Sequence, residues 1–133
     1  MSFEFNRNLQ DANYVSTVAI AQAGANTAAF DLEQAIGGDI EKVVFELSAP
    51  AAAGITDAKV VTYALQDSAD GSSWAAVDPS ITTTQTAAGG AGITAKSIRF
   101  RLPANTRRYV RIAQTMTSSA GTVTGSMVAR LRF

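Results

Sequence analysis

The sequence predicts an all-β protein: an antiparallel two-sheet sandwich, jelly-roll-like, with about eight strands. Three observations predict it. Short runs alternate apolar and polar residues, which is the period of a half-buried strand. Turn signals separate these runs at the spacing usual in sandwiches and barrels. No stretch combines a 3.6-residue period with helix caps, although residues 32–36 could make one helical turn. At 133 residues the chain is one domain, large enough to bury its own core. The expected organisation is an N-terminal arm over residues 1–13 and a single β-sandwich domain over 14–133.

The arm carries Phe3 and Phe5 between polar Ser2, Glu4 and Asn6. Either it is a disordered terminus, or the two phenyl rings anchor it on a neighbour. The first strand is expected at 14–22, with Tyr14, Ser16, Val18 and Ile20 on one face, followed by a turn at Gly24-Ala25-Asn26. A short strand at 27–32 carries Phe30 and Leu32. The next, at 40–48, points Val43, Phe45 and Leu47 inward and Lys42, Val44 and Glu46 outward, and ends at Pro50.

Residues 58–66 and 73–78 form an expected hairpin, joined by a polar connection, Asp67 to Ser72, in which Asp70-Gly71 supplies the positive-φ position. Residues 82–92 suggest a strand and then a mobile loop. At 97–102, Ile98, Phe100 and Leu102 alternate with outward Arg99 and Arg101. A Pro103 turn leads to a strand at 108–116. The final strand, at 122–133, sets Val123, Gly125, Met127, Ala129, Leu131 and Phe133 against Thr122, Thr124, Ser126, Arg130 and Arg132, with Val128 the apolar exception.

Charge is segregated along the chain. All eleven acids lie before residue 96, where only Arg7, Lys42 and Lys59 offset them, and the last 38 residues hold eight basic residues and no acid. The net charge of zero is therefore −8 plus +8. Three readings follow. Arg-bearing strands pair with acidic strands of the same chain; or the Arg face meets acidic surface on another molecule, where the planar guanidinium fork suits carboxylates; or the basic strands contact phosphates. Against the last, the whole chain is neutral and only Tyr109 is placed to stack on a base.

Other chemistry finds little support. With no Cys and no His there is no disulfide, no thiolate or imidazole ligand, and no imidazole base. Asp67, Asp70 and Asp78 around the hairpin lack the alternate spacing and terminal Glu of a calcium loop, and β-turns favour Asp in any case. Asp31 with Glu33, or Asp39 with Glu41, could serve as a glycosidase acid pair, but nothing positions them. Trp74 is the sole tryptophan. It would either close over the core or offer a sugar-stacking platform. No Gly-rich phosphate loop follows a strand, so catalysis is not expected. The polar start of the chain has no secretory core, and no apolar run is long enough to span a bilayer.

Three segments resemble a known group. Tyr63-Ala64-Leu65-Gln66-Asp67-Ser68-Ala69-Asp70-Gly71-Ser72-Ser73-Trp74 looks like the hairpin of many small phage virion proteins. Leu102-Pro103-Ala104-Asn105-Thr106-Arg107-Arg108-Tyr109-Val110-Arg111-Ile112 resembles their proline turn and Arg-rich strand, and Gly121-Thr122-Val123-Thr124-Gly125 resembles the entry to their last strand. Together these segments are similar to the jelly-roll cement, or decoration, proteins of tailed-bacteriophage capsids. The resemblance implies a non-catalytic homo-oligomer, dimer or trimer, made in the bacterial host cytoplasm and placed on the capsid exterior. There it would bridge major capsid protein subunits, with no cofactor, metal, nucleic acid or membrane. The expected contact residues, chosen from the one-sided Arg placement and the Phe-bearing arm, are Phe3, Phe5, Arg99, Arg101, Arg107, Arg108 and Arg111. The alternative is a carbohydrate-binding β-sandwich module on a virion or tail.

Overall fold

The computed structural model describes residues 10–32, 43–78, 80–117 and 121–132. Among the described residues there are ten strand segments: β1 (Gln10–Ala19), β2 (Ala25–Asn26), β3 (Phe30–Asp31), β4 (Val44–Ala49), β5 (Val60–Ser68), β6 (Ala75–Ala76), β7 (Thr82–Thr86), β8 (Lys96–Arg101), β9 (Tyr109–Met116) and β10 (Ser126–Arg132). All pairings are antiparallel. One sheet has the order β1-β10-β4-β8. In the other, β9 pairs with β5 at the centre. The segments β2 and β3 share the free side of β9, and β6 and β7 share the free side of β5.

Counted as interrupted single strands, β2 with β3 and β6 with β7 reduce ten segments to eight. The two sheets then run first-eighth-third-sixth and second-seventh-fourth-fifth, which is jelly-roll order. The predicted fold class holds.

Alternation explains which faces meet. On β5, Val61, Tyr63 and Leu65 are buried while Thr62, Ala64 and Gln66 are only partly covered. On β10, Met127, Ala129 and Leu131 have no measurable exposure. Rings cross the core in a chain. Phe30 meets Phe45 edge-on at 5.9 Å, and Phe45 stacks on Phe100 at 5.3 Å. Buried polar side chains between the sheets find partners, as low dielectric demands. The Tyr63 hydroxyl donates to Gln85 Oε1, and Gln85 Nε2 donates to the carbonyls of Pro50 and Thr94. Gln114 bonds both backbone groups of Ala21, so its amide replaces the ladder where the chain leaves β1.

Several boundaries differ from the sequence expectation. Strand β1 begins at Gln10, so the last four residues of the expected arm are strand backbone, with an irregularity in register between Gln10 and Val15. Phe3 and Phe5 lie outside the described residues, as do 33–36 of the possible helical turn. Ala25 and Asn26 are paired with β9 rather than turning, and the bend falls one step earlier, at Gln22 and Ala23. Strand β10 starts at Ser126, not Thr122, because Gly121 and Gly125 take positive φ, which breaks the ladder. Asp67 is not a turn residue: it is buried at the end of β5. The turn is made by Asp70, whose Oδ1 accepts from the Ser72 and Ser73 amides and the Ser68 hydroxyl. The two amide bonds and the Ser68 bond hold its carboxyl down at about 2.

The loop over residues 87–92 is tied down rather than loose. Ala52 and Ile93 exchange both backbone hydrogen bonds, and Gly90 donates to Asp57. Gly92 has φ +71, and a Cβ there would run into the Ala52 carbonyl. Gly92→Ala should therefore break the bridge and lower stability by about 2 kcal/mol, the worth of two backbone hydrogen bonds. A urea melt reads this directly.

Candidate functional site: a cationic sheet face

The outer face of the four-stranded sheet concentrates charge around one carboxylate. Glu46 sits on β4, between β10 and β8. Register places Arg130 directly across from it on one side and Arg99 on the other, with Arg132 on the diagonal. Cross-strand neighbours on one face lie close enough for side chains to meet. Arg99 Nε lies 2.8 Å from Glu46 Oε2, Arg132 Nε donates to the same oxygen at 3.0 Å, and Arg130 Nη1 donates to Oε1 at 3.2 Å. Glu46, expected simply to point outward, does so but is buried beneath these guanidinium groups, with its side chain 7% exposed. Two carboxylate oxygens cannot satisfy every nearby N–H, and Arg130 Nε is buried without a hydrogen-bond partner among the described residues.

Burial pushes the Glu46 carboxyl up, but the charges of Arg132 and Arg99 and the hydrogen bonds from Arg132 and Arg130 outweigh it. The net displacement is downward. One row along, Arg101 lies opposite Val44, is exposed, and has no carboxylate partner among the described residues. Three guanidinium groups thus share one carboxylate and a fourth stands beside them, so among the described residues of this face four positive charges meet one negative charge. Such a surface attracts anionic partners and orients them on approach.

Of the other expected arginines, Arg107 and Arg108 are ion-paired within the chain, and Arg111 meets only neutral side chains among the described residues. Arg107, in the turn before β9, is stapled to Asp67. Its amide donates to Oδ2 at 3.0 Å, Nε donates to Oδ1 at 3.0 Å, and Nη2 reaches both Oδ1 and the Asp67 carbonyl. That bonding holds the Arg107 guanidinium above its ordinary range. Arg108 makes a two-point contact with Asp31, Nε to Oδ1 at 2.8 Å and Nη2 to Oδ2 at 2.9 Å, and lies over the Tyr109 ring. Arg111 stands on the opposite sheet, against Gln66 and Trp74.

Intramolecular pairing therefore accounts for Arg107 and Arg108. On the four-stranded sheet the surplus charge among the described residues belongs to Arg99 and Arg101 together with Arg130 and Arg132, the last two outside the expected contact set. Their signal was in the sequence as outward positions of the last strand. What the sequence lacked was the pairing that sets β10 beside β4.

Trp74 neither closes over the core nor stands free. It is half-buried on the outer face of the six-stranded sheet, with the Arg111 guanidinium 4.3 Å from its ring centre. Among the described residues, no group of three or more acidic side chains is placed to hold a metal ion, and no helix is long and apolar enough to cross a membrane. Asp31 is bound to Arg108. Its proposed acid partner Glu33, and the pair Asp39 and Glu41, lie outside the described residues.

The site defines a class: an all-β sandwich that presents an over-charged cationic sheet face. The sequence matches no protein-family model and no curated protein.

Proposed function

We propose that this chain is a non-catalytic virion structural protein, a capsid cement or decoration protein. It docks on the outside of a phage head as a homo-oligomer and bridges major capsid protein subunits. The observation that carries the reading is the cationic face: Glu46 beneath Arg99, Arg130 and Arg132, with Arg101 beside them. Evenly neutralised sheet faces need no such surplus, whereas a surface that must find and orient on an acidic protein does. Jelly-roll order adds support by analogy, since capsid and lectin domains both use it, as does the resemblance of the hairpin and Arg-rich segments. Function would follow from linkage: a protein that binds only the assembled shell stabilises that state at every site it occupies.

Co-sedimentation with expanded heads that lack the protein tests this. Binding is expected at low salt, to fall as salt screens the face, and to drop about tenfold or more in Arg101→Glu, a variant that breaks no internal contact. Failure to pellet with heads at low salt overturns the reading. Arg107→Glu and Arg108→Glu are unsuitable probes, because both would break pairs inside the fold.

One observation favours carbohydrate binding instead: Trp74 lies outside the core. Its ring already carries Arg111 on one face, which leaves a single face for a sugar. Retention on a glycan array, lost in Trp74→Ala, would move the assignment to that reading.

A further inference from the structure

On the outer face of the six-stranded sheet one guanidinium is braced but not neutralised. Arg111 is fixed at two points. Its Nε donates to Gln66 Oε1 at 2.9 Å, and its plane rests 4.3 Å from the Trp74 ring centre. Gln66 is its direct cross-strand neighbour, and Ala76, two residues after Trp74, pairs with Gln66 on the other side. These contacts use the Nε edge and one face of the guanidinium. Its two terminal nitrogens have no hydrogen-bond partner among the described residues, and no described carboxylate pairs with it. Partial burial already disfavours its charge. Apart from half-buried Tyr109, two residues earlier on β9, the nearby outer-face residues of β5 and β9 are small and neutral: Thr62, Ala64, Ala113 and Thr115. Another surface can approach such a face closely.

We propose that Arg111, positioned by Trp74 and Gln66, is a docking point for a carboxylate on the surface of a second protein, held through the two terminal nitrogens. A planar fork held in advance loses little freedom on binding and matches carboxylate geometry. Arg and Trp are also the residue types that most often dominate interfaces. Nucleic acid fits less well, because it needs several cations along its backbone. Arg107 and Arg108, which precede it in the chain, are committed to Asp67 and Asp31.

A second copy of this chain could offer few carboxylates from its described residues: Asp31, Glu46 and Asp67 are paired with arginines, Asp57 accepts from Gly90 and Asp70 is used by its own turn, which leaves the exposed Asp78. The inference does not rest on the capsid assignment, since it concerns the opposite sheet and any acidic protein would serve. If both hold, the sandwich has contact surfaces on its two outer faces, as a bridge requires.

Trp74 is the sole tryptophan, so its emission reports on this site alone. The full chain would be titrated at low salt with tetraglutamate, inorganic phosphate and oligothymidylate. Tetraglutamate should change Trp74 emission saturably and more strongly than either phosphate probe. Arg111→Lys, which loses the planar fork, should weaken this about tenfold with an unchanged melting temperature. Gln66→Ala, which frees the guanidinium but keeps its charge, should weaken it by a smaller factor. The proposal is overturned by no saturable response, by an equal response in Arg111→Lys, or by a stronger response to phosphate or oligothymidylate. Tetraglutamate bound to the cationic face of the other sheet would not be mistaken for this site, because its signal would survive Arg111→Lys.

Discussion

Glu46→Gln should lower the unfolding free energy by about 3 kcal/mol at neutral pH, the low end of the cost of removing one partner from a buried ion cluster. The low end applies because the arginines around it remain partly solvated, with side-chain exposures of 62%, 28% and 21%. For a domain of this size the loss corresponds to a fall in melting temperature of roughly 10 °C. The damage is mostly repulsion, since three guanidinium groups stay gathered around a neutral amide. Removing one of them as well, in Glu46→Gln with Arg130→Gln, should recover part of the loss, and a double-mutant cycle would measure how much.

Acid should mimic the substitution. The Glu46 carboxyl lies below its ordinary value of 4.5 in the folded protein, so the folded state holds this proton less tightly than the unfolded chain. The contribution is therefore complete above that ordinary value and is lost as pH falls through the lower, folded one. Wild-type stability should decline on acidification across this window, and the decline should be shallower in Glu46→Gln. Equal slopes would show that the cluster does not govern acid stability.

Asp67→Ala should cost about 3 kcal/mol, with a readout confined to one end of the sandwich. Asp67 is buried, and its carboxylate accepts from the Arg107 amide, Nε and Nη2. Hydrogen bonds to a charged group contribute about 1.5–3 kcal/mol each, though three bonds to one group are not additive. Without the carboxylate the turn between β8 and β9 loses its tether to β5. The Arg107 amide should then exchange with solvent much faster, while amides in the centre of β9 stay protected. Arg107→Ala should be similarly destabilising because it strands the buried acid, which is why a binding defect in an Arg107 variant would say little about docking.

How far the sequence could be read depended on the range of the interactions involved. The central strands were legible because alternation is local: Val61, Tyr63 and Leu65, or Ile98 and Phe100, declare their inner face within a few residues. The Asp70-Gly71 turn was legible for the same reason. Asp67 was misplaced because its partner is 40 residues away, and beside Asp70 it looks like more of the same turn. At Thr122 to Gly125 the alternation was present but the strand was not, since the two positive-φ glycines override it.

The charged site divides along the same line. The order of charges along the chain shows that the basic residues cluster in its last 38 residues, and alternation sets Arg99, Arg101, Arg130 and Arg132 outward. Neither could show that Arg107 and Arg108 neutralise acids 40 and 77 residues distant, or that Arg99 and Arg132 reach the same carboxylate. In a jelly roll, neighbours in a sheet are far apart in sequence, so alternation fixes which side a residue takes and strand pairing alone fixes whom it meets. The fold class, the two faces of most strands and the segregated charge were determined by the chain's local pattern. Which arginines are spent inside the molecule and which remain for a partner was decided by the order β1-β10-β4-β8, because that order sets Glu46 among three cations and leaves Arg101 facing solvent.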